Sequence, residues 1–278
     1  MPPSNALPSG SIAFIGGGNM ARSLIGGLVA RGLAPASIRV AEPVPALRDA
    51  LANDFGVTCF DNASAAAEGA SVWLLAVKPQ VMRPVCESLA AQARAQRPLA
   101  ISIAAGITAA QLDRWLGGDA AVVRAMPNTP ALLGAGVTGL YANAAAQPRF
   151  EQAAELLSAV GPTVRIDEEA QMDAVTAVSG SGPAYVFLLA EAMQQAGVAQ
   201  GLAPDAANAL VRQTLLGAAR MLTDGEDPAE VLRARVTSPG GTTQAAIETF
   251  EAGGFRALVD RAITAATERG RQLSAANE

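Results

Sequence analysis

Two glycine-rich segments far apart in the chain have the residue types needed to hold an anionic group against a helix end. The first is Gly16-Gly17-Gly18-Asn19-Met20-Ala21, which follows the apolar run Ile12–Ile15 and opens a helical stretch from Met20 to Ala30. In a Gly-x-Gly-x-x-Ala pattern, Gly16 permits the tight turn, Gly18 lets a pyrophosphate approach the backbone, and Ala21 lets the helix pack on the sheet. The helix start adds N–H donors and positive potential. A glycine turn without a ligand is the plainer alternative. The second segment, Ser238-Pro239-Gly240-Gly241-Thr242-Thr243, precedes a helix over Gln244–Glu251. Such a start suits a carboxylate, bound by backbone N–H groups and a hydroxyl. A third, Ser179-Gly180-Ser181-Gly182-Pro183, precedes another long helix and suits either close backbone packing or an anion. Each of these starts alone is explained by an N-cap on a tight turn. Two of them opposite a dinucleotide domain favour a substrate pocket.

Further candidates sit at strand ends, where ligands lie in open α/β sheets. Glu42 ends the second β-branched run. An acid there accepts hydrogen bonds from the adenosine ribose and repels a 2′-phosphate, which favours NADH. Glu42-Pro43 also precedes a helix, so a solvated helix-start residue is the alternative, and the choice between NADH and NADPH stays open. Ala76-Val77-Lys78-Pro79 ends the central apolar run, with Lys78, the chain's only lysine, as cofactor contact or strand-end cap. Ser102-Ile103-Ala104-Ala105-Gly106 offers small residues beside which a nicotinamide ring could lie. Met126-Pro127-Asn128-Thr129-Pro130 is stiffened by its prolines, which makes Asn128 a candidate cofactor contact or part of a rigid turn. There is no histidine, so the commonest general base and commonest metal ligand are both missing. No metal is expected, and any chemistry rests on a cofactor, hydroxyls, carboxylates or backbone.

The elements that must position these residues follow from periodicity. Val72–Val77, Leu99–Ala104 and Ala121–Ala125 are continuous apolar runs, as in strands buried on both faces. Strands alternate with helices, which predicts a parallel, doubly wound sheet. Val137–Tyr141 and Thr163–Ile166 read as late strands. From residue 168 on there are only helical patterns: 184–196, 204–222, 228–234, 242–251 and 255–273. Pro204 and Pro228 suit first-turn positions. The expected division is a tail over 1–10, a Rossmann-type domain over 11–167, and an all-helical domain over 168–278. Helices so apolar cannot bury their surface within so small a domain, which predicts packing on a second copy.

The composition, half hydrophobic with 16% charged residues and a net charge of −5, is that of a globular chain. Without a basic stripe, nucleic acid is a poor partner. No run reaches the length of a membrane span. Met1–Gly10 lacks the charge and hydropathy of a signal peptide. Cys59 and Cys86 make no disulfide framework, as expected of a cytoplasmic protein.

Taken together, Phe14–Ala21, Leu75–Gln80, Ser102–Gly106, Arg124–Pro130, Val178–Tyr185 and Ser238–Thr243 resemble, in order, the motifs of pyrroline-5-carboxylate reductase. The Met-Pro-Asn-Thr-Pro, Ser-Gly-Ser-Gly-Pro-Ala-Tyr and Ser-Pro-Gly-Gly-Thr-Thr segments are the specific ones. The likeness spans residues 12–273. It implies an N-terminal Rossmann domain, a helical dimerisation domain, and reduction of 1-pyrroline-5-carboxylate to L-proline with NADH or NADPH in dimers or rings of dimers. It further implies cofactor contacts from Gly16, Gly18, Asn19, Met20, Ala21, Asn62, Ala76, Val77, Lys78, Pro79, Ile103, Ala104 and Ala105. It implies substrate contacts from Ser238, Gly240, Gly241, Thr242 and Thr243, with Thr243 near the ring nitrogen and Glu169 near the amine. Glu42 departs from the family pattern, and Arg235 receives no role. The alternatives are a β-hydroxyacid dehydrogenase, which would need a lysine near the substrate, and a dinucleotide-binding scaffold without catalysis.

Overall fold

The computed structural model describes residues 10–276, so the expected tail lies, but for Gly10, outside the described residues. An eight-stranded sheet organises the first part of the chain. Its strands are β1 (Ile12–Ile15), β2 (Ile38–Ala41), β3 (Thr58–Phe60), β4 (Val72–Leu75), β5 (Leu99–Ser102), β6 (Ala121–Met126), β7 (Thr138–Ala142) and β8 (Thr163–Arg165). The helices between them are α1 (Asn19–Ala30), α2 (Pro45–Phe55), α3 (Ala63–Ala67), α4 (Pro79–Gln96), α5 (Ala109–Trp115) and α6 (Phe150–Leu157). The strand order is β3-β2-β1-β4-β5-β6-β7-β8.

The apolar runs are central strands for the reason their sequence suggests. Ile12 and Phe14 enter one core layer with α1 and α6, and Ala13 and Ile15 enter the other with Trp73, Met82, Leu89 and Trp115. Both faces of the sheet are therefore covered, as a parallel sheet requires. The otherwise parallel sheet contains one reversal: β7 runs antiparallel to β6, and β8 follows β7 in parallel. The β6–β7 connection is a short loop with one 3-10 turn at Thr129–Leu133. A parallel return needs a longer crossover, usually a helix, and Pro127 and Pro130 disfavour one here. The edge strand β3 and the short helix α3 carry no clear periodic signal in the sequence, whereas α4 buries Met82, Cys86, Leu89 and Ala93 at helical spacing. The helix α4 runs unbroken for 18 residues with Pro84 inside it.

The rest of the described chain is helical: α7 (Met172–Val175), α8 (Gly182–Ala199), α9 (Pro204–Asp224), α10 (Ala229–Arg235), α11 (Thr242–Ala252) and α12 (Phe255–Ala276). Pro204 takes the first turn of α9 as expected, whereas Pro228 caps α10 from outside. Two compact units divide at Ser181/Gly182, and the residues from Ala266 on belong with the sheet. This differs from a division at 167/168. Met172 and Ala177 are buried, the Val175 side chain lies against Gly139 of β7, and Asp173 lies against Gly270. In the helical unit, α8 packs on α9, but only Ala207 and Val211 are buried. Residues 185–189 of α8 (Tyr-Val-Phe-Leu-Leu) stay exposed in the single chain, Phe187 at 69% and Leu188 at 65%.

Candidate active site

The glycine loop is built by the ends of β1, β2 and β4. Gly16 has φ +109° and donates its N–H to the Ala41 carbonyl at 2.9 Å. A Cβ there would meet the Ala76 carbonyl oxygen at 2.7 Å, so the close approach of the β1 and β4 ends demands glycine. Gly17 would place a Cβ 2.7 Å from the Leu51 side chain. Gly18 differs: its φ is −68°, and a Cβ would meet nothing within 4 Å. It caps α1 with no side-chain hydrogen bond, and the first backbone bond of the helix runs from Arg22 N–H to Gly18 O at 2.9 Å. The amides just before Arg22 have no intrahelical acceptor to reach. Asn19 is exposed, Met20 half-buried, and Ala21 buried against the sheet. This open glycine cradle on a twelve-residue helix fits a dinucleotide pyrophosphate.

Glu42 takes a position that the sequence did not reveal. It is 7% exposed; one carboxylate oxygen accepts from Gly17 N–H and the other from Val44 N–H, each at 3.0 Å. Its carboxylate thus braces the glycine loop. Arg48 of α2 reaches back to the Glu42 and Pro43 carbonyls at 2.8 and 2.9 Å. Asn62 caps α3 by accepting from Ala65 N–H at 2.8 Å. Lys78 is exposed and precedes α4, with Pro79 in the first turn and Ala76 and Val77 half-buried. Ile103, Ala104 and Ala105 follow β5 as a half-buried stretch, and the Ser102 hydroxyl accepts from Ala104 N–H at 3.3 Å. Asn128 spends both ends of its amide on the protein: it accepts from Val137 N–H at 3.0 Å and donates to Ser179 O at 3.3 Å.

The segment around Ser179 is not an open helix start. Thr176–Gly180 forms a π-helical turn, and Ser181 N–H donates to Thr176 O at 2.8 Å before α8 begins. The small residues there serve close packing: a Cβ on Gly180 would come within 2.5 Å of the Met126 side chain.

Glu169 sits against the sheet unit. One of its oxygens accepts from Arg124 Nη1 at 2.7 Å and from Ala109 N–H, at the start of α5, at 2.6 Å. Arg124, 7% exposed, is the one charge inside the apolar strand β6, and that placement is the signal by which the sequence could have singled it out. Asp173 lies in the same field. Burial raises its pKa, Arg124 and Arg271 pull it down, and Glu169 adds to the rise.

The second glycine segment lies in the helical unit. Gly240 has φ +70° and donates its N–H to Gln244 Oε1 at 2.7 Å. Gly241 caps α11 without a side-chain partner and donates to Ser238 O at 3.0 Å. The helix starts at Thr242, so Thr242 and Thr243 form its first turn. The first backbone bond is Ala245 N–H to Gly241 O, which leaves the amides of the first turn without intrahelical acceptors. Ser238 and Thr242 are exposed and Thr243 is half-buried. Arg235, which the sequence left without a role, forms an ion pair with Asp227 that ties down the end of α10 just before this loop.

Comparison with known proteins agrees with both halves. The pyrroline-5-carboxylate reductase dimerisation model matches residues 169–273, and a coenzyme F420-dependent NADP oxidoreductase model matches residues 11–106. The chain is 53% identical to the pyrroline-5-carboxylate reductase of Pseudomonas aeruginosa, covering 95% of this chain and 96% of that one. It is 44% identical to that of Haemophilus influenzae, over 94% and 97% of the two chains. The solved structure of the Coxiella burnetii pyrroline-5-carboxylate reductase superposes with a TM-score of 0.93 at 42% identity, over 96% of this chain and 99% of that one. The Plasmodium falciparum pyrroline carboxylate reductase, solved with NADP bound, gives 0.83 at 26% identity, over 97% and 100%. With identity of this order running through both units, the chain belongs to the pyrroline-5-carboxylate reductase family.

Proposed function

We propose that the chain reduces 1-pyrroline-5-carboxylate to L-proline with NADH or NADPH, the final step of proline biosynthesis. The observation that carries this is the pair of uncapped glycine-bearing helix starts, at α1 and α11, in a chain of this family. The residues that would hold the cofactor are the Gly16–Ala21 loop, Asn62, Ala76–Pro79 and Ile103–Ala105, with Glu42 and Asn128 acting by holding that surface in shape. When bound, the reduced nicotinamide supplies hydride. The first-turn amides of α11, with Ser238, would hold the substrate carboxylate. The Thr243 hydroxyl would hydrogen-bond the ring nitrogen and orient it. Hydride adds to C5 of the protonated imine, and the C=N π electrons become the nitrogen lone pair. No protein base has to remove a proton, which suits a chain without histidine. Glu169 acts through Arg124 and the start of α5.

Self-association is part of this reading, with the matched dimerisation region as its support and a ring of dimers as the larger form. Cytoplasmic residence belongs to it as well: Cys59 and Cys86 are unpaired, and among the described residues no helix is long and apolar enough to cross a membrane. The test is oxidation of NADH and of NADPH, in parallel, on addition of 1-pyrroline-5-carboxylate, with proline as the measured product. Consumption of neither cofactor would refute the assignment.

A further inference from the structure

A cavity of about 460 Å³ opens at the beginnings of β5 and β6. Strands β1, β4, β5 and β6 are parallel, so this cavity lies on the opposite edge of the sheet from the Gly16–Ala21 loop. Three arginines line it, Arg94 and Arg97 from the end of α4 and Arg149 from the start of α6, against a single acid, Asp119. Much of the remaining wall is small and apolar, Ala100 and Ala121 among it.

The three guanidinium groups lack counter-charges. Arg149 is half-buried and donates to two neutral acceptors, Ser71 O at 2.9 Å and Gln152 Oε1 at 3.0 Å. Its burial lowers its pKa, with no acid opposing the shift. Among the described residues, none of the three arginines lies within ion-pair distance of a carboxylate. Arg94 lies across Gly117, where a Cβ would come 2.7 Å from its Nη1, so the glycine makes room for the guanidinium. The chain as a whole carries a net charge of −5, so three unpaired cations at one cavity do not reflect general basicity.

We propose that this cavity binds a small polyanion carrying phosphate groups, separately from the dinucleotide loop. Guanidinium forks match phosphate oxygens in bidentate geometry; Arg149 is partly desolvated and bonded only to neutral acceptors, and Arg94 and Arg97 are exposed and free to turn to an incoming anion. The volume exceeds that of one phosphate and falls within the range of small-molecule sites, which suits a diphosphate or a phosphorylated metabolite.

The test is isothermal titration of the full chain with inorganic pyrophosphate, and separately with inorganic phosphate, at low ionic strength. With NADH present in saturating amount to occupy the glycine loop, pyrophosphate is expected to bind once per chain and more tightly than phosphate. Affinity should fall about tenfold or more when Arg94→Ala is combined with Arg97→Asn. Asparagine is chosen because Arg97 has φ +48° and asparagine tolerates that region. Arg94→Ala alone, at an exposed position, gives a smaller loss in the same direction and serves if the double variant does not fold. Absence of binding, equal affinity for phosphate and pyrophosphate, or unchanged affinity in the folded variants would each overturn the proposal. The last result would place the anion elsewhere on the chain.

Discussion

Asp173 and Thr243 are the residues at which single side chains make the sharpest tests. Asp173 is half-buried near Arg124, Arg271 and Glu169, with its pKa raised by burial. A carboxyl whose folded pKa exceeds its unfolded value binds more protons when folded, so its contribution to stability falls as pH rises through that window. Asp173→Asn should therefore raise the melting temperature at pH 7, and the gain over wild type should vanish below pH ~4. Parallel thermal melts from pH 3.5 to 8 check this, and a gain that grows at low pH would contradict it. Thr243 tests the substrate assignment. Thr243→Ala should lower kcat/KM by one to two powers of ten, about 1.4–2.7 kcal/mol of transition-state stabilisation. Unchanged steady-state kinetics would remove Thr243 from the site. The surroundings of Asp173 could not be read from its neighbours in sequence: Arg124 lies 45 positions before Glu169, and the two meet only because β6 and the 3-10 turn at Glu169–Gln171 are brought together.

At the scale of the element, the β1–loop–α1 unit separates two uses of glycine. Gly16 has a positive φ and faces the Ala76 carbonyl, so Gly16→Ala forces backbone to move. Strain of this kind costs about 1–3 kcal/mol, and lower stability is expected in denaturant melts. Gly18 has an ordinary φ and open space before it, so Gly18→Val should leave the fold intact while its side chain blocks the cradle. Calorimetric titration with NADH should show affinity lost in Gly18→Val at an unchanged melting temperature. Retained affinity there would mean that the phosphates do not lie on this loop. The motif announced this element, because strand, turn and helix are contiguous in the chain. It did not announce the brace beneath it. Glu42 reaches Gly17 across 25 positions, and both its oxygens are occupied by backbone amides. Whether a strand-end acid faces a ribose or supports a loop depends on its rotamer and neighbours.

For the whole molecule, the decisive feature is how little the helical unit buries by itself. Helix α8 has no buried residue, and Phe187, Leu188 and Val186 are 69%, 65% and 49% exposed. Contiguous apolar surface of this kind marks an interface, and the region lies within the matched dimerisation segment. Phe187→Asp should shift the protein toward monomer at micromolar concentration and reduce reductase activity with it. Sedimentation velocity checks the first, and an undisturbed dimer would exclude Phe187 from the interface. The apolar, strand-free pattern after residue 168 already pointed to a helical region in need of a partner. What the residues determine by themselves is local: the apolar runs that must be central strands, the glycine turn that must open α1, and the second glycine-rich helix start before α11. The tertiary structure decided the reversal of β7, the engagement of Asn128 and Glu169 with the protein, and Glu42's service to the loop. Each of these rests on contacts between distant segments, whose geometry is set by packing and by how far a short connection can reach, and no local pattern encodes it.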